Sequence, residues 1–94
     1  MSEREITIRN NAGIHCRPSG VILRAVQNEF PGHVFTVSKS DGSECRVDSI
    51  LSLIALCLAC GDRAVLRCEG PDEERALQQI GDLFERDFDF PPHD

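Results

Sequence analysis

An imidazole, a thiol and a guanidinium stand side by side at His15, Cys16 and Arg17, with Pro18 directly after them. Downstream, Ile22, Leu23, Val26 and Phe30 recur at helical spacing, so the group sits where a helix begins. At such a start the N–H groups of Cys16 and Arg17 lack carbonyl partners, and Pro18 has no N–H to offer. Free amides and the positive end of the helix dipole attract anions, and Arg17 adds a fixed cation able to grip phosphate oxygens. An uncharged imidazole is a nucleophile near neutral pH, able to take a phosphoryl group and release it again. The residue types therefore suit reversible phosphoryl transfer through His15. A capping or surface histidine without chemistry is the competing reading of the same spacing.

Other residues with chemical potential are scattered. Cys16 would lie at a helix N-terminus beside Arg17, a setting that favours thiolate and hence redox sensitivity. Cys57 and Cys60 form a C-x-x-C pair, but no second pair stands at zinc-finger spacing. With Cys16 they could make a thiol or metal module, whereas small core residues inside a helix explain them more simply. Asp48 or Ser49 can cap a helix beginning at Ile50. His33 opens a strand and His93 lies near the C-terminus, and neither carries a role.

The elements that would position these groups follow from periodicity. Ile6 and Ile8 alternate with polar neighbours, predicting a strand over about residues 4 to 9. Asn10-Asn11-Ala12-Gly13 is turn chemistry, and the helix after His15 stops at Pro31-Gly32. Two alternating segments flank Ser40-Asp41-Gly42 and predict a hairpin with Cys45 and Val47 facing inward. The apolar run from Ile50 to Cys60 predicts a buried second helix ended by Gly61. A fourth strand follows, with Ala64, Leu66 and Cys68 on one side. Pro71 is then expected at the first position of a last helix, whose stripe holds Ala76, Leu77, Ile80, Leu83, Phe84 and Phe88. The order β-α-β-β-α-β-α fits an α+β fold: a four-stranded, mainly antiparallel sheet with three helices on one face. One domain over residues 1 to 94 is expected, ordered over about 3 to 88, with 89 to 94 a loose tail.

Charge and composition exclude some functions. The chain of 94 residues has net charge -6, spread unevenly: residues 1 to 40 hold five Lys/Arg and three Asp/Glu, residues 41 to 94 five and thirteen. So acidic a chain lacks the attraction that drives nucleic-acid binding. The run from Ile50 to Cys60 is far shorter than the roughly 20 residues that span a bilayer, so no membrane insertion is expected. Five cysteines, an odd number, and no signal-like N-terminal stretch point to free thiols in a reducing cytoplasm.

"GIHCRPSG" resembles the Gly-(Leu/Ile)-His-Ala-Arg-Pro signature of the HPr family, the histidine-containing phosphocarriers of the bacterial phosphoenolpyruvate-dependent sugar phosphotransferase system. "VDSILSLIALCLACGD" is similar to that family's second helix, and the resemblance runs from about Glu3 to Phe88. It implies the open-faced β-sandwich, and a carrier that is a substrate of other enzymes. His15 would accept phosphate on Nδ1 from phosphorylated enzyme I and pass it to enzyme IIA domains, with Arg17 neutralising charge and the Cys16 and Arg17 amides holding the phosphate. Partners would dock around Arg17, Gly20, Arg24, Leu51, Ser52 and Ile54, although core packing explains Leu51 and Ile54 equally well. Ser49 matches a serine phosphorylated by the HPr kinase/phosphorylase in many relatives, which would extend the partners to that enzyme and a transcriptional regulator. Asp48 beside it would oppose a phosphate. The resemblance implies a cytoplasmic monomer without metal or cofactor. A regulatory paralogue in nitrogen or carbon control, acting through His15 or Ser49, fits the same residues.

Overall fold

Alternating segments become the strands of one sheet in the computed structural model, which describes residues 2 to 9 and 16 to 86, the side chain of Cys16 excepted. The elements are β1 (Ser2–Thr7), α1 (Cys16–Glu29), β2 (Val34–Lys39), β3 (Glu44–Arg46), α2 (Ile50–Ala55), β4 (Arg63–Glu69) and α3 (Glu73–Glu85). The sheet order is β1-β4-β2-β3, and every neighbouring pair is antiparallel. This is the expected element order. The residue 10 to 13 turn, Phe88 and the tail from 89 to 94 lie outside the described residues.

One face of the sheet is buried. Ile6, Phe35, Val37, Ala64, Leu66 and Cys68 point into a core shared with Ile22, Val26 and Phe30 of α1 and its end, Leu53 of α2, and Ala76, Ile80 and Phe84 of α3. The period of two therefore meets the helical period across a single apolar layer. On the outer face a polar chain crosses all four strands. Arg67 donates to Glu3 at 3.2 Å and to Ser38 at 2.7 Å, and Ser38 donates to Glu44 at 3.1 Å.

The hairpin between β2 and β3 forms as its Asp-Gly pair predicts. Gly42 takes φ +95°, Lys39 N–H donates to Ser43 O, and Asp41 accepts from the Ser43 amide at 2.8 Å. That amide holds the Asp41 carboxyl below its usual value. Val47 is buried and Cys45 half-buried, both as predicted.

Three expectations are corrected. Strand one starts earlier, at Ser2, and ends at Thr7, although Ile8 still exchanges backbone bonds with the β4 side. The second helix stops at Ala55 instead of running to Cys60. Leu53 and Leu56 bury at a helical step, but Leu58, two residues further, is also buried. A continuing helix would swing Leu58 about 200° away from Leu56. The chain instead leaves the helix through Cys57, at φ 57°, and Lys39 Nζ donates to the freed carbonyls of Leu56 and Cys57 at 3.1 and 3.3 Å. Cys57 and Cys60 are thus exposed loop residues, not core residues of a helix.

The third correction concerns α3, which starts at Glu73 with Asp72 as its N-cap, so Pro71 precedes the helix. Asp72 N–H donates to His33 Nε2 at 3.0 Å, which fixes the entry. Glu73 reaches back to accept from the Gly70 amide and from Ser2 Oγ. His33, given no role by the sequence, stacks on Phe35 and meets Phe30 edge-on, so it pins the start of β2 to the start of α3.

Candidate functional site

The described part of α1 begins at Cys16, the residue after His15, and its first turn contains no carboxylate. α3 differs, with Glu73 and Glu74 in its first turn compensating the positive helix end. In α1 that end carries Arg17 instead, which is exposed. The amides of Cys16 and Arg17 fall in the turn where no intrahelical acceptor exists, and Pro18 is buried behind them. This turn can neutralise an anion brought to it. His15 itself and the Cys16 side chain lie outside the described residues.

Behind the same turn, Ser19 is fully buried, and its hydroxyl has no hydrogen-bond partner among the described residues. Sequence reading passed over it, since a serine early in a helix looks like surface. Its burial follows from Ser19 lying on the stripe that continues through Ile22, Val26 and Phe30.

α1 packs against α2, which brings the two expected docking helices together. Arg17 and Arg24 are exposed, Gly20 is half-buried, and a side chain added at Gly20 would meet nothing within 4 Å. On α2, Leu51 is 78 % exposed, while Ser52 and Ile54 are half-buried. The even choice between core and surface is thereby decided for Leu51, which is not core. Val21 and Ile50 are exposed apolar residues beside these positions. Sequence reading missed both; Val21 could have been found as the apolar residue one step off the buried Ile22 stripe.

Ser49 is the N-cap of α2. Its Oγ accepts from the Ser52 amide at 3.1 Å and donates to Ser52 Oγ at 2.9 Å. Of the two candidate caps, Asp48 does not serve: it is exposed, and its amide donates to Arg46 O.

The remaining thiols divide by burial. Cys45 and Cys68 are pushed up by desolvation, Cys68 to about 11, which disfavours thiolate. Cys57 and Cys60 are exposed, and Cys60 Sγ lies 3.7 Å from Arg9 O. Among the described residues no three His, Cys, Asp or Glu side chains group so as to hold a metal ion. No helix among them is long and apolar enough to cross a membrane.

Comparison with known proteins gives the family of the chain. A family model described as the phosphorylation site of the PTS HPr component matches residues 2–86. The chain is 33% identical over 89 residues to the phosphocarrier protein HPr of Treponema pallidum (strain Nichols), covering 95% of this chain and 98% of the relative. It is also 33% identical over 86 residues to the phosphocarrier protein NPr of Proteus mirabilis (strain HI4320), covering 92% and 93%. The crystal structure of HPr-C-His from Thermoanaerobacter tengcongensis superposes with a TM-score of 0.79 at 29% identity, over 90% of this chain and 92% of that one.

Proposed function

The chain belongs to the PTS-HPr family, whose members are phosphocarriers of the phosphotransferase system and not enzymes themselves, and from that premise we propose that His15 is its phosphoryl acceptor. Phosphorylated enzyme I is the donor, phosphoenolpyruvate the ultimate source, and an enzyme IIA domain the recipient. The observation that carries the reading is the first turn of α1, with no carboxylate and with Arg17 exposed, directly after His15 in the chain.

The chemistry is an in-line displacement. The neutral ring nitrogen of His15, Nδ1 by family resemblance, attacks phosphorus as the bond to the donor breaks, and the same step reversed delivers the group to the acceptor. The α1 amides and Arg17 offset charge on the phosphoryl oxygens in both directions. Arg24, Val21, Ile50 and Leu51 form an apolar surface rimmed by arginine, suited to an acidic partner face. Gly20, Ser52 and Ile54 fill out that surface. The carrier works in the cytoplasm, where its donor and recipients meet it.

A second reading rests on the equal 33% identity to an HPr and to an NPr. It makes the chain a regulatory paralogue with the same histidine. Ser49 would add control as the substrate of an HPr kinase: a phosphate on this cap puts about two negative charges on the docking surface. Reconstitution separates these readings. The chain is mixed with enzyme I and phosphoenolpyruvate from the sugar branch, or with the corresponding donor of a regulatory branch, and phosphate arriving on a IIA domain is measured. Faster relay in the sugar branch supports the carrier of sugar uptake; faster relay in the other supports the paralogue; none in either overturns both.

A further inference from the structure

β1 is an end strand of the sheet, and no other described element pairs with its outer edge. Ile8 exchanges backbone bonds with Asp62 and Gly61 on the β4 side. Strand alternation then turns the N–H and C=O groups of the odd residues Glu3, Glu5 and Thr7 away from β4. The Thr7 amide bears this out, since it donates outward to Glu85 Oε2 at 2.9 Å. A carboxylate thus satisfies one end of the edge, and the backbone groups of Glu3 and Glu5 continue along it.

Beside this edge runs an open groove of about 660 Å³, walled by Ser2, Glu3 and Arg4 on one side and by Glu74, Leu77, Gln78 and Asp82 of α3 on the other. Ser2 bonds Glu73 near the start of α3 and Thr7 bonds Glu85 at its end, so strand and helix run side by side in the same direction. An extended edge facing a helix across a groove is the geometry that accepts an added strand.

Charge selects the occupant. Glu3, Glu74 and Asp82 line the groove and Glu85 closes its far end, against Arg4 within it and Arg67, which pairs with Glu3 from the outer sheet face, so acidic groups outnumber the cations there. Arg4, the cation lining it, is already engaged with Asp82 at 3.1 Å, with Glu85 at 3.0 Å and with the carbonyls of Leu77 and Gln78. A second copy of the chain is disfavoured, because edge-to-edge pairing would bring Glu3 and Glu5 of one copy against the same residues of the other. We propose that the β1–α3 groove is a docking site for a lysine- or arginine-rich extended segment of a partner protein, which adds to β1 as a fifth strand. This site uses neither α1 nor α2, so docking and phosphoryl acceptance are compatible.

The test titrates the full chain with a short synthetic peptide alternating lysine and valine, followed by amide NMR and hydrogen exchange. Two comparisons accompany it: a charge-matched peptide with proline replacing valine, which cannot pair as a strand, and the variant Glu74→Lys, which reverses a carboxylate lining the groove. The expected result is saturable perturbation of β1 and of the Glu74 to Asp82 stretch, with exchange at the Glu3 and Glu5 amides slowed about tenfold or more. The proline peptide and the charge-reversed variant should each weaken binding by about tenfold or more, while the variant keeps its folded spectrum and its phosphoryl acceptance. Equal binding of the proline peptide, perturbation centred elsewhere, or no saturable binding overturns the proposal.

Discussion

Cys57 holds a left-handed conformation that side chains rarely adopt, φ 57°, in order to let Leu56 and Leu58 both bury. The cost of that conformation is about 1–2 kcal/mol for an L-residue, partly offset by the larger unfolded-state freedom of glycine. Cys57→Gly should therefore stabilise the fold by about 0.5–1 kcal/mol, seen as a rise of a few degrees in Tm. Leu51 presents the opposite case, a large apolar side chain at 78 % exposure with little folding role. Leu51→Ala should change stability by no more than about 0.5 kcal/mol. If Leu51 meets the donor enzyme, the same variant should slow phosphoryl acceptance about 5- to 30-fold, measured as kcat/KM for enzyme I. Unaltered acceptance would remove Leu51 from the docking surface.

Among the elements, the joint between β2 and α3 depends on close approach. A Cβ at Gly70 would meet His33 Cδ2 at 2.5 Å, and the His33 ring is held between Phe30, Phe35 and the Asp72 amide. Gly70→Ala should cost about 1–3 kcal/mol by urea unfolding, because moving that ring breaks its contacts with Phe30, Phe35 and the Asp72 amide. The start of α3 also has a pH signature. Bonds from Ser2 and the Gly70 amide lower the Glu73 carboxyl from its usual 4.5. The folded group thus releases its proton more readily than the unfolded one. Its contribution is present above about 4.5 and fades as pH falls through the lower folded value. Ser2→Ala should flatten the dependence of the urea midpoint on pH below neutrality, and an unchanged slope would show that Ser2 is not the main cause.

For the whole molecule, what was legible in the sequence was what local periodicity and local chemistry decide. The strands could be read because one face of the sheet is buried, so Ile6 stands between polar neighbours and Ala64, Leu66 and Cys68 recur at every second position. The carboxylate-free start of α1 could be read because His15, Cys16, Arg17 and Pro18 are adjacent in the chain. The end of α2 could not. The run from Ile50 to Cys60 is apolar except for Ser52 and carries no break signal, and its break depends on Lys39, 17 residues from Leu56, and on the core position of Leu58. The start of α3 was misplaced for the same reason, since its fixing partner, His33, lies 39 residues from Asp72. Docking residues were only half legible: Leu51 and Ile54 look alike in sequence, and packing alone separates the exposed one from the half-buried one.

The central claim is that a phosphoryl group comes to rest on the imidazole that precedes α1. It is tested most directly by incubating the chain with enzyme I, magnesium and labelled phosphoenolpyruvate, beside His15→Ala, and following the label through acid treatment. One acid-labile label per native chain, and none on His15→Ala, is the expected result. Acid-stable label, or label that survives the loss of His15, would contradict it.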